Sequence, residues 1–374
     1  MRSRPTMRDV AALAAVSFKT VSRVVNGEPG VSDELVARVQ QAAEQLDYRH
    51  NLAASNLRRG RRTMSVGVLV QDVGDSFDST MLRAIEDRAR ARGIAVFTAS
   101  LDGQEDRERE SVADLVNRQV DGLVIMASSD GQGYLRNDIR AGLAVVVVDR
   151  PARHVEVDSV LVDNVAAARA ATQHLLAHGH RRIGFVSDLA RGPSARDRRV
   201  GYQQALELSG LAVPPQLVRQ DARAGAEMTA VVCEMLRADD PPTAVFAAAS
   251  TAAVGAIRAL RDLGRHHEVA LVAFDDFPMA DLVDPGTTVV SRDARAIGHA
   301  AADLLLKRLD GSVAPTREVL VPTTLVQRGS GEIVPPAGAR PSSRGRGAAA
   351  RSAVDAERAG RSPISAVSAG SSRS

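Results

Sequence analysis

The stretch SFKTVSRVVNG, residues 17–27, gathers side chains suited to reading the edges of nucleic-acid bases. Lys19 can donate to the guanine acceptors, and Arg23, one turn further on, can do so with two donors. Phe18 can lie against a thymine methyl. Ser17, Thr20, Ser22 and Asn26 can bind phosphates or bases and so fix a register. Val21, Val24 and Val25 form an apolar stripe at helical spacing, with Ser17 placed to cap the helix start. A small helical cap with a solvated basic face would use the same residues, and a single short motif leaves both readings open.

A second set is His174, His178 and His180 in HLLAHGH, where positions i and i+4 share a helix face. A metal site needs further ligands at suitable spacing, and no cysteine or carboxylate supplies them. The pattern reads better as a helix ending at Gly179, its histidines facing the negative end of the dipole. No G-x-G-x-x-G, P-loop or G-x-S-x-G motif accompanies them, so no metal, no cofactor and no catalytic residue is assigned.

The elements that must hold these residues follow from pattern. Thr6 and Asp9 form a capping box that opens a helix over 7–15. Ser17 begins the second helix, and the AVS turn between them makes a helix-turn-helix, whose second helix enters a major groove N-terminus first. Ser32 begins a third helix that buries Leu35, Val36, Val39, Ala42, Ala43 and Leu46. Residues 49–62, RHNLAASNLRRGRR, are polar and basic and read as a linker holding a turn or two of helix.

From Met64 the rhythm changes. SVGVLV, GIAVFTAS, DGLVIMAS, LAVVVVDR, RIGFVSD, TAVFAAA and VALVAFDD are short apolar strands. They alternate with helices expected at 79–92, 105–118, 166–177 and 196–209, which implies parallel sheets covered on both faces. Some 270 residues of this is large for one sheet, so two similar lobes are expected. Ligands in such folds bind outside the carboxyl ends of the strands.

Length and composition agree. At 374 residues with 44% hydrophobic and 25% charged residues, the chain holds two or three domains with a sizeable core. One cysteine, Cys233, excludes an internal disulfide framework and suits a reducing cytoplasm. The longest apolar runs, such as 143–148, are too short to span a bilayer, so no membrane is expected. Arg2, Arg4 and Arg8 precede a run at 10–16 that is marginal for a secretion signal and lacks a cleavage site. Residues 1–62 carry eleven Lys/Arg against six Asp/Glu, residues 63–334 thirty against thirty-seven, and residues 335–374 seven against two. Basic ends flanking an acidic body point to a polyanionic partner for the ends. The tail from Pro335 is rich in Ala, Ser, Gly and Arg and is expected to be disordered.

Residues 7–60, MRDVAALAAVSFKTVSRVVNGEPGVSDELVARVQQAAEQLDYRHNLAASNLRRG, resemble the DNA-binding head of the lactose-repressor (LacI/GalR) family. The likeness continues through VDGLVI, VVVVDRP, VDNVAAARAATQHLLAHGHRRIGFV, RRVGYQQAL, TAVFAAASTAAVGAIRAL and VAFDDFPMADLVDPGTTVV to about Gln327. The resemblance implies a helix-turn-helix head at 1–50, a hinge at 51–62, and a two-lobed core at 63–334 like a periplasmic sugar-binding protein. It implies a cytoplasmic regulator, chiefly a repressor, that binds a palindromic operator in double-stranded DNA as a homodimer. In the hinge, Leu57 would wedge into the minor groove with Arg58 on the backbone nearby; composition alone also allows a flexible linker whose leucine packs on the core. A small-molecule effector, a sugar or sugar derivative, would lie between the lobes. Its candidate contacts, carried over by motif, are Asp75, Phe77, Asp149, Ser194, Arg198 and Asp275. Each has a structural alternative: Asp149 or Asp275 as a turn cap, and Arg198 paired with Asp197 or Asp275.

Three positions depart from the family pattern. Ala15 stands where Gly is usual in the turn, and His50 where Pro is usual before the hinge. Ala249 and Ser250 replace an amide and a carboxylate after the strand TAVFAAA. That last change weakens the usual polar grip on a sugar, so common free hexoses are expected to bind poorly. An enzyme or a secreted binding protein would explain the core but has no use for residues 7–47.

Overall fold

A computed structural model describes residues 5–26, 28–48, 63–187, 193–220 and 222–337. Leu57, Arg58, His50 and the tail beyond residue 337 lie outside the described residues.

The head consists of α1 (Met7–Leu13), α2 (Phe18–Val25) and α3 (Asp33–Gln45). The capping box forms as expected: Thr6 Oγ1 and Asp9 bond reciprocally across the first turn of α1. Val10, Ala11, Ala14, Val21, Val39 and Ala42 make a small shared core. α1 ends at Ala14, and Ala15 adopts φ 49°. The Val16 N–H then reaches back to Ala11 O at 3.1 Å, closing a left-handed cap of the kind that glycine usually supplies.

The chain divides into two compact units, Met1–Val160 (the head included) with Arg295–Val319, and Leu161–Ala294 with Leu320–Ser374. In the first, β1 (Ser65–Val70), α4 (Ser76–Arg90), β2 (Ala95–Ser100), α5 (Glu105–Asn117), β3 (Gly122–Ile125), α6 (Arg136–Arg140), β4 (Ala144–Asp149) and β5 (Asp158–Leu161) alternate. The sheet order is β11-β5-β4-β3-β1-β2, with β11 at Glu318–Leu320. In the second, α7 (Asn164–Ala177), β6 (Ile183–Val186), α8 (Pro193–Leu208), β7 (Val218–Arg219), α9 (Ala226–Arg237), β8 (Ala244–Ala247), α10 (Ser250–Asp262), β9 (Ala270–Phe274), β10 (Thr288–Arg292) and β12 (Thr323–Val326) follow, while α11 (Ala294–Leu309) belongs, but for its first residue, to the first unit. The sheet order in the second unit is β12-β10-β9-β8-β6-β7. The two sheets thus repeat one topology, with a late strand added at the edge of each. β12 pairs antiparallel to β10, the one reversal among the pairings that define this sheet's register.

Helix starts differ from expectation where a side chain caps earlier than the apolar pattern begins. Asp75 opens α4 at Ser76, ahead of the expected Ser79. Asp163 accepts from Ala166 N at 2.8 Å and opens α7 at Asn164. α8 opens at Pro193, ahead of the expected Arg196. α7 and α8 lie backbone to backbone because residue 201 is glycine; a Cβ there would sit 2.2 Å from Val165 O.

Candidate nucleic-acid interface and ligand-binding groups

α2 has an apolar side buried in the head and a polar side left to solvent. Ser17 Oγ accepts from Thr20 N at 3.0 Å, satisfying one of the free donors of the first turn, and its hydroxyl meets Thr20 Oγ1 at 2.8 Å. Beside this cap Phe18 is 48% exposed, and Lys19 is exposed as well. The exposed part of the phenyl ring gives the tip of this short helix an apolar contact surface beside the Lys19 cation.

The rest of the predicted reading set is already engaged within the head. Arg23 donates to Pro29 O at 2.5 Å and lies 3.8 Å from Glu28, so its guanidinium braces the turn after α2. Asn26 folds its amide back onto Ser22, donating to the carbonyl and to Oγ, the latter at 3.2 Å. These contacts hold the C-terminal end of α2, whereas Ser17, Phe18 and Lys19 form its presented end.

In the first unit, Asp75 lies beyond the carboxyl end of β1 and Asp149 is the last residue of β4. Asp75 Oδ1 accepts from Phe77 N at 2.8 Å and Asp78 N at 3.2 Å, so this carboxylate caps α4. Phe77 is 7% exposed and packs inward. Asp149 is half-buried with φ 76°. The loop after β3 is fixed by a residue the sequence did not single out. Glu108, fully buried on α5, accepts from the backbone N–H groups of Ser128 and Ser129, from Ser129 Oγ at 2.6 Å and from Tyr134 OH at 2.6 Å. Burial, then the Glu108 charge, pushes the Tyr134 phenol upward and keeps it a donor.

In the second unit the site residues form a buried ionic cluster at the carboxyl end of β9. Arg198 lies in α8, 6% exposed, with its guanidinium 3.8 Å from the Phe274 ring centroid. Its Nε donates to Asn164 Oδ1 at 2.9 Å and its Nη1 to Ala248 O at 2.8 Å, and Nη1 lies 3.6 Å from Asp275. Asp275 is held chiefly by Arg292, with Nε at 2.5 Å and Nη2 at 2.8 Å. Two side chains in parallel bonds of this kind form the fork geometry that favours arginine and carboxylate. Asp275 also has φ 70°, matching Asp149 at the corresponding strand end of the other unit. Arg292 and Asn164 were missed in the sequence; the one available signal was a cation closing the apolar strand TVVSR. Ser194 is half-buried in the first turn of α8. Ala249 occupies the N-cap of α10 with no side-chain bond to the helix, and Ser250 is 9% exposed behind it.

The histidines tie the unit's last segment to α7. His174 Nε2 lies 2.7 Å from Glu332 Oε1, and His180 spans Thr243 Oγ1 at 2.9 Å and Ile333 O at 2.7 Å. Burial lowers the His180 pKa from its usual value. Among the described residues no helix is long and apolar enough to cross a membrane.

Comparison with known proteins places both parts. Residues 6–51 match the model of bacterial regulatory proteins, lacI family, and residues 172–331 match a periplasmic binding protein-like domain. The transcriptional regulator PtxS of Pseudomonas aeruginosa is 34% identical over 333 residues, covering 88% of this chain and 96% of its own. The repressor CytR of Escherichia coli is 29% identical, covering 88% and 97%. Among solved structures, a complex of the regulator CelR with cellobiose matches with TM-score 0.63 at 30% identity, covering 87% of this chain and all of its own. A Lac repressor dimer bound to operator shares the fold, with TM-score 0.74 at 24% identity over 88% and 99%. The capped, outward-facing α2 and the twice-repeated parallel sheet are thus those of a DNA-binding transcriptional regulator, and the chain belongs to the lacI family of bacterial regulatory proteins.

Proposed function

We propose that the protein is a cytoplasmic repressor without catalytic activity, binding a palindromic operator as a homodimer and tuned by a small molecule. The observation that supports the reading most is the presented end of α2. Phe18 and Lys19 project beside the Ser17 cap, an apolar probe for a thymine methyl next to a donor for guanine. One helix of eight residues makes few base contacts, so discrimination requires two heads on symmetric half-sites. Ser17, Thr20, Ser22, Arg23 and Asn26 then position the helix or touch phosphate. Leu57 and Arg58, outside the described residues, act at the operator centre. Residues 1–50 are the head, 51–62 the hinge, 63–334 the core and 335–374 the tail.

The effector is held at the strand carboxyl ends, by Asp75, Phe77 and Asp149 in the first unit and by Ser194, Arg198 and Asp275 in the second. Arg198 is the strongest of these, because its flat face on Phe274 and its Asn164 contact hold it in one orientation. Weakening operator binding a hundred- to a thousandfold requires about 3–4 kcal/mol of differential effector affinity. With Ala249 and Ser250 at the neighbouring strand end, plain hexoses such as lactose or galactose bind poorly.

Selection from random duplex DNA tests the first half. An inverted repeat is expected, and Lys19→Ala is expected to relax one position per half-site by about 1–3 kcal/mol. An asymmetric consensus, or one unchanged by Lys19→Ala, would refute the assignment. Calorimetry of the full chain against sugars, sugar phosphates and nucleobases tests the second half; tight binding of a plain hexose would overturn the specificity claim.

A further inference from the structure

The turn that aims α2 contains an alanine in a conformation that L-residues avoid, and an arginine from the third helix closes on it. Ala15 at φ 49° joins α1 to the Ser17 cap of α2 through Val16 alone. The two bonds of the cap use other carbonyls than those of Ala14 and Ala15, since Val16 N goes to Ala11 O and Ala15 N to Ala12 O. Arg38, on α3, donates through Nη2 to Ala14 O at 2.7 Å and to Ala15 O at 3.4 Å. A cation at this spot also meets the negative end of the α1 dipole.

We infer that Arg38 is a positioning residue for DNA recognition. It fixes the turn from α3, and thereby sets the angle at which Phe18 and Lys19 leave the head. In a glycine turn the left-handed residue costs no steric strain. Here the strain of Ala15 is opposed by a charge-assisted bond from a side chain 23 residues further along. The fully buried core that α1, α2 and α3 share is six small aliphatic residues, with larger side chains such as Met7, Leu46 and Tyr48 only partly buried around it, and the Arg38 bonds add a directional restraint to that packing. Arg38 acts through the turn and makes no base or phosphate contact.

The test uses the full-length protein and two duplexes: the consensus that the wild-type protein selects from random DNA, and a scrambled duplex of equal length. Arg38→Ala is expected to lower affinity for the selected duplex about five- to tenfold, the order expected for loss of a partly solvated charge-assisted bond. Scrambled-duplex affinity and the slope of log K against log[salt] should stay at wild-type values. Adding Ala15→Gly to Arg38→Ala should recover most of the loss, because glycine holds the turn without the clamp. Arg38→Lys, which keeps the charge and a single donor, should recover part. Should Arg38→Ala reduce the helical content measured by circular dichroism, the double variant and Arg38→Lys carry the comparison at native helicity.

Unchanged affinity for the selected duplex would overturn the inference. So would an equal loss on both duplexes with a salt slope about one unit shallower, since that is the mark of a direct phosphate contact. Failure of Ala15→Gly to restore any binding would overturn it as well, because the turn would then not be what Arg38 holds.

Discussion

Replacing Asp275 with asparagine isolates the charge in the ionic cluster of the second unit. Asparagine keeps the shape of the side chain and tolerates the left-handed backbone at φ 70°, which alanine would add strain to. The change removes the carboxylate that holds Arg292 through two bonds and lies 3.6 Å from Arg198. Asp275 and Arg198 are each 6% exposed and Arg292 is 9% exposed, so solvent cannot replace the lost charge. Breaking a buried ion pair from one side costs about 3–5 kcal/mol, because the remaining guanidinium keeps its desolvation penalty. In a unit of this size each kcal/mol moves the midpoint by roughly 2–4 °C, so a drop of about 6–20 °C is expected for the transition of the second unit. Differential scanning calorimetry at about 0.15 M and 1 M salt is the assay. A buried pair is screened little, so the drop should be nearly the same at both. A shift under about 2 °C, or one that disappears in high salt, would refute the claim that Asp275 neutralises this cluster. Effector response is measured separately, at a temperature where the variant is fully folded. A variant that is folded yet unresponsive assigns the carboxylate to the ligand as well.

Ala249→Ser should supply the missing N-cap of α10 and raise stability by about 1 kcal/mol, read as a higher urea midpoint at unchanged m-value. Burial lowers the His180 pKa below 6.5, so the unfolded chain binds the proton more readily; stability should be full above about pH 6.5 and fall as pH drops toward the lower folded value. In His180→Gln the slope of melting temperature against pH should be shallower than in the wild type below about pH 6.5. Glu108→Gln should loosen the loop 128–134 by presenting an amide donor to four donors, seen as faster amide exchange at Ser128 and Ser129. Unchanged protection there would mean that backbone contacts alone fix the loop.

Much of this was legible because local physics wrote it. The Thr6–Asp9 box, the Ser17 cap and the apolar spacing of Val10, Val21 and Val39 depend on residues a few places apart, and all appear in the head as read. The short apolar strands also announced parallel sheets, and β1 and β3 are buried along their whole length, whereas β2 at the sheet edge leaves Phe97 exposed. Helix starts were misplaced by two or three residues where Asp75 and Asp163 cap ahead of the periodic pattern.

The tertiary structure decided partnerships. Arg23 and Lys19 look alike as donors on one helix, yet Arg23 turns back to Pro29 O while Lys19 is exposed. Arg38 reaches a turn 23 residues behind it, and Asp275 meets an arginine 17 residues ahead across adjacent strands. The Arg198–Asn164 bond needs α7 and α8 to touch, which the glycine at 201 permits. A sequence fixes which groups can bond and which faces must be buried, because propensity, capping and periodicity act over a few residues. Which charge meets which is settled only when packing brings distant elements within 3 Å or so, where desolvation makes the choice of partner strict.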